Sequence, residues 1–91
     1  MPIIVRLPAP WRKPAGDRRE IEVNGATVGE ALANLAADVP ALRERLYGSD
    51  GRIASIVAVF LNQDSINRLQ GLDTPVSEGD RITLLMAIAG G

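Results

Sequence analysis

Only one stretch of this chain repeats its apolar residues at the helical interval for more than two turns. Val28, Ala31, Leu32, Leu35 and Ala36 fall on a single stripe. Thr27 stands in front of it as an N-cap, with Glu30 at the capping-box distance. Pro40 ends the helix or breaks it just ahead of itself, because the residue before a proline is driven out of the helical region. Nearly every other apolar segment alternates with a period of two, as strands do. One amphipathic helix can cover one face of one sheet. The expected architecture is an α+β roll, a mixed sheet of four to five strands with the helix packed on one face.

The strands can be placed. Ile3, Val5 and Leu7 share one face of the first, and Pro8 and Pro10 close it. Residues 9–17 hold two prolines, a glycine and the pair Arg12-Lys13, and read as a hairpin loop. Trp11 within it is expected to cover one end of the core, with an aromatic contact to a partner as the other reading. Arg18 to Val23 forms the second strand, facing in through Ile21 and Val23, and Asn24-Gly25 signals a turn. Leu42 to Leu46 reads as a further short helical turn, and residues 47–51 as a loop. Ile56 to Leu61 is a third strand, apolar on both faces. Asn62-Gln63-Asp64 turns the chain into a short edge strand over Ser65 to Leu69. After the turn Ser77-Glu78-Gly79-Asp80, Arg81 to Ile88 is the last strand, expected beside the first in the sheet centre.

Composition removes most catalytic chemistry. With 91 residues the chain holds one small domain. It has neither cysteine nor histidine, so thiolate nucleophiles, imidazole bases, disulfides and ordinary zinc sites go together, and no catalytic or metal-binding residue is expected. A net charge of −1 gives the whole chain no strong pull on nucleic acid. No long uncharged apolar run or signal-peptide pattern stands out, so a cytoplasmic protein without membrane association is expected.

The chain closes on Gly90-Gly91 after the apolar run of the last strand. Two glycines leave the backbone slim and conformationally free, so the expected division is a folded unit over residues 1–86 and a flexible tail over residues 87–91. The terminal carboxylate of Gly91 is the best candidate for a reacting group.

These pieces resemble a known family. The layout looks like the β-grasp, or ubiquitin-like, fold. Thr27-Val28-Gly29-Glu30-Ala31-Leu32 is similar to the helix start of the sulfur-carrier family that includes ThiS, MoaD and CysO. Gly71-Leu72-Asp73-Thr74-Pro75-Val76-Ser77-Glu78-Gly79-Asp80 resembles that family's approach to its last strand, and Ala87-Ile88-Ala89-Gly90-Gly91 its tail. The segment from Leu7 to Gly16 and Leu42-Arg43-Glu44-Arg45-Leu46 look most like the CysO branch. Two positions depart: the family often has proline where Met86 stands, and an acidic run where this chain reads Asn62-Gln63-Asp64-Ser65-Ile66-Asn67.

The resemblance implies a carrier, not an enzyme. A ubiquitin-activating-type enzyme would join the Gly91 carboxylate to AMP, using ATP that the carrier itself does not bind. A sulfur donor would then leave a thiocarboxylate, and a sulfur-accepting enzyme such as a cysteine synthase would consume it. Gly90 and Ala89 would carry the tip into the partner's site. Phe60, Ala58 and Leu85 would form a docking patch on the sheet face opposite the helix, the alternative being that they belong to the core or to a second small cluster. Arg12, Lys13, Arg18 and Arg19 read as a solvated basic face, the alternative being a dock for an acidic partner. Two other roles stay open at this point: a ubiquitin-like modifier joined to lysines, and the small subunit of a molybdopterin synthase.

Overall fold

The computed structural model describes residues 2–86. Five described strands form one sheet in the order β2-β1-β5-β3-β4. They are β1 (Pro2–Arg6), β2 (Glu20–Asn24), β3 (Val57–Leu61), β4 (Asp64–Ser65) and β5 (Arg81–Met86). β1 pairs antiparallel with β2 and parallel with β5, and β3 runs antiparallel to both β5 and β4. The last strand therefore lies beside the first, at the centre, as its apolar character requires. Together with one principal helix across the sheet, this is the β-grasp arrangement.

That helix is α2 (Val28–Asp38). Thr27 caps it: its hydroxyl oxygen accepts the Glu30 N–H at 3.1 Å. Glu30 reaches back one residue further than a capping box requires and accepts the Ala26 N–H at 3.2 Å. All five stripe residues are buried. They pack on the inward-facing strand positions Ile3, Val5, Ile21, Val23, Val57, Val59, Ile82 and Leu84. Each fully buried Leu or Val here contributes about 1.5–3 kcal/mol relative to exposure. Pro40 does stop the helix, and the chain continues as a 3₁₀ turn (Pro40–Leu42) and a short helix, which we call α3 (Arg43–Leu46). Leu42 and Leu46 point into the core.

Two segments depart from the expected layout. Residues 9–17 are not simply a loop, because Ala9–Arg12 forms one helical turn, α1. Proline at the first turn lacks only an N–H that a helix start leaves unpaired anyway, so Pro10 initiates here rather than disrupts. The turn brings Trp11 to 2% exposure, as a lid on the core. The edge strand expected over Ser65 to Leu69 ends at Ser65. Its hydroxyl accepts the Asn67 N–H at 3.3 Å and curls the chain into a 3₁₀ turn (Ile66–Arg68). Ile66 is thereby buried. The third strand opens at Val57, since Val57 N–H is taken by Ala54 C=O and Ile56 lies outside the ladder.

The segment between these turns and β5 is held by Thr74, the one buried polar residue among those described. Its hydroxyl donates to Gly71 C=O at 2.7 Å and accepts the Gln70 N–H at 3.0 Å. Its carbonyl accepts the first N–H of α2, from Val28, at 3.0 Å. No described helix is long and apolar enough to cross a membrane.

Candidate functional site

β5 positions whatever follows it. It is fixed on both sides by β1 and β3, and its last residue, Met86, lies opposite Val57 and packs partly against the core. The last described residue is thus held in a strand paired on both sides, opposite the start of β3. Gly91, Gly90 and Ala89 lie outside the described residues, as do the final residues of the strand expected to run to Ile88 and the expected tail itself.

The patch on the sheet does come together. Pleating sends Ile82 and Leu84 inward and Thr83 and Leu85 outward. Leu85 lies opposite Ala58, and Phe60 lies opposite Thr83. Leu85 is 47% exposed, while Ala58 and Phe60 are partly buried. The three residues therefore share the outer face and lie outside the principal core. Beside them, Arg6 lies next to Thr83, and Arg81 forms an ion pair with Glu20 across β1. The outer face is apolar over β3 and β5 and charged towards β2. Such a surface can seat a partner's apolar residues while the charged flank sets orientation.

The basic residues of the first hairpin are used differently. Arg12 Nε donates to Leu7 C=O at 3.3 Å, and Arg18 Nε donates to Ala15 C=O at 2.7 Å. These two guanidiniums brace the loop; Lys13 and Arg19 are exposed.

One feature escaped the sequence. A groove of about 560 Å³ runs along the open flank of β3, between residues 51–55 and the 3₁₀ turns that follow β4. Its walls include Ile53, Val57, Val59, Ile66 and Leu72. No motif marks it. It exists because β4 stops after two residues, and the only signal is Ser65 two residues ahead of Asn67, a side-chain turn inside an apparent strand.

The molecule is similar to known proteins along its whole length. The CysO sulfur carrier protein of Mycobacterium tuberculosis is 30% identical, with all of both chains covered. Among solved structures, SAMP1 from Haloferax volcanii matches with a TM-score of 0.86 and 30% identity over all of both chains. A chain of the Amycolatopsis orientalis BexX/CysO complex matches with a TM-score of 0.86 and 28% identity, over 98% of this chain and 99% of that one. The profile of the ThiS family matches residues 5–91, so the match includes both the sheet that fixes Met86 and the glycines beyond it. The chain belongs to the ThiS family.

Proposed function

We propose that this protein is a sulfur carrier whose working group is the carboxylate of Gly91. Full-length similarity to the CysO sulfur carrier carries the reading. A free α-carboxyl has a pKa of about 3.5, so at neutral pH it is an anion and a poor target for nucleophiles. In the site of an adenylating enzyme, a carboxylate oxygen attacks the α-phosphorus of ATP and pyrophosphate leaves. Hydrosulfide then attacks the acyl carbon, the bond to the AMP oxygen breaks, AMP leaves, and a thiocarboxylate remains on the carrier. That soft anion delivers sulfur to an accepting enzyme, for which a cysteine synthase is the closest analogue. This chain brings no internal thiol to compete for the sulfur. Its own contribution is placement: Gly90 and Ala89 give a slim entry, and the Phe60, Ala58 and Leu85 face docks on the adenylating enzyme.

Intact mass tests this directly. Incubation with an activating enzyme of the family, ATP and sulfide should exchange one oxygen for one sulfur. Deletion of Gly91, or Gly90→Trp, should abolish the gain. An undiminished gain in either variant would overturn the assignment.

A second reading is favoured by the match to SAMP1, since small archaeal modifier protein 1 of Haloferax volcanii is also 34% identical over 79 residues. On this reading the same adenylate is attacked by a lysine amine of a target protein. Conjugates of higher mass that survive reducing agent would be its signature.

A further inference from the structure

Residues 12–19 carry four cations, Arg12, Lys13, Arg18 and Arg19, against a single carboxylate, Asp17. Four cations less one carboxylate give this segment a net charge of +3. The whole chain is at −1, so everything outside the segment sums to −4. Glu20, the next acid along, does not offset the cluster, because it is ion-paired with Arg81.

The sheet puts this segment where the described part of β5 stops. β1 and β5 run parallel, with Arg6 beside Thr83. α1 starts three residues after Arg6, at Ala9, and so begins about level with Met86, three residues after Thr83. The returning arm stands at the same end, since Arg19 C=O accepts the Leu7 N–H at 2.9 Å. Trp11 and Ala15, each 2% exposed, pin the turn to the core. Asp17 is left-handed at φ 64°, and its N–H donates to Arg12 C=O at 2.7 Å. With the Nε bonds of Arg12 and Arg18, these contacts order the backbone beneath the four cations in advance. Binding then has little ordering left to impose there.

Crowded like charges repel one another, and a surface of opposite sign relieves them. The Gly91 carboxylate is five residues, or about 18 Å of backbone at most, beyond Met86. An enzyme that takes that carboxylate therefore works at this end of the sheet. We propose that the turn over residues 12–19 docks on an acidic rim around that enzyme's entrance, as a contact separate from the Phe60, Ala58 and Leu85 face. The proposal rests on the reading that an adenylating enzyme acts on Gly91, but not on sulfur as the later nucleophile. The division of labour is kinetic. Complementary charge speeds encounter and is screened by salt, while apolar contact mainly slows release.

Lys13 and Arg19 are exposed, and neither side chain bonds to a described residue, so Lys13→Glu/Arg19→Glu leaves the turn's bracing in place. Stopped-flow association with the adenylating enzyme at low ionic strength should slow at least about tenfold in this variant. The wild-type decline of that rate with added salt should flatten, and dissociation should stay within about twofold. Arg68→Glu makes the same charge change per residue on the exposed 3₁₀ turn after β4 and should slow association less than about twofold. An unchanged rate in the double variant overturns the proposal. Equal slowing per charge in Arg68→Glu also overturns it, because net charge alone would then be at work. Duplex DNA bound by the wild type and lost by the double variant, with enzyme association unaffected, would make the turn a nucleic-acid contact instead. Intact mass at saturating enzyme reads the carrier role separately. Sulfur gain with charge-independent association removes the dock and keeps the carrier; charge-dependent association without sulfur gain keeps the dock and removes the carrier.

Discussion

Asn62 replaces its own backbone with its side chain in pairing with Arg81. Its N–H donates to Arg81 C=O at 2.7 Å, while its Oδ1, not its carbonyl, accepts the Arg81 N–H at 3.0 Å. With φ at 56°, Asn62 is left-handed, which turns its carbonyl away from the partner strand. Its amide nitrogen also donates to Asp80 Oδ1 at 3.4 Å. Asn62→Ala removes the acceptor and leaves an unfavourable φ, and is expected to cost about 1–3 kcal/mol. Asn62→Gly should recover the conformational part alone. Urea midpoints of the two variants separate the contributions.

Thr74→Val keeps the shape of a buried side chain and deletes its hydroxyl. Gln70 N–H then loses its partner at a part-buried position, while Gly71 C=O keeps only the Thr74 N–H at 3.2 Å. A loss of about 1–3 kcal/mol is expected. Hydrogen exchange should show faster opening at Val28, whose N–H bonds the Thr74 carbonyl.

Gly25→Ala would put a methyl 2.7 Å from the backbone nitrogen of Ala31 and 2.9 Å from its Cα. Neither helix atom can move without displacing α2. Overpacking of this kind costs about 1–3 kcal/mol, which should appear as a lower thermal midpoint. Gly79→Ala would meet nothing within 4 Å and instead carries strain from φ +89°.

Burial raises the pKa of the Tyr47 hydroxyl, with the charge of Arg43 opposing the shift. The unfolded chain ionises first as pH rises, so it binds fewer protons than the native state. Stability associated with Tyr47 is full below pH ~10, the unfolded value, and declines as pH rises through the higher folded value. Denaturant midpoints should fall above that pH, and Tyr47→Phe should flatten the decline.

Legibility in the sequence followed the reach of each interaction. The stripe from Val28 to Ala36 and the alternation at Ile3, Val5 and Leu7 are local patterns, and the structure buries both sets. The central place of β5 was also legible, because its apolar residues demand cover on both flanks. What failed was set by single side chains acting against the local pattern. Pro10 starts a helical turn where prolines usually signal a loop, and Ser65 bends the chain out of a strand by bonding Asn67. Gly25 was read as a turn residue, yet its reason is the approach of α2, a contact between segments that a sequence pattern does not display. The outer patch could be listed from alternation alone, but its separation from the core depended on the register Ala58 with Leu85.

That register sets the last prediction. Leu85 is 47% exposed and opposite a small Ala58, so Leu85→Asp places a charge within reach of water but gives up about half of a leucine's burial on an interior strand. Stability should fall by about 1–2 kcal/mol, which leaves the variant folded. If the outer face docks on the adenylating enzyme, the same charge must be desolvated there, and affinity should fall at least about tenfold, or ~1.4 kcal/mol. Calorimetric titration of the enzyme with the folded variant checks both halves of the argument. An unchanged affinity would remove Leu85, and with it the β3–β5 face, from the docking surface.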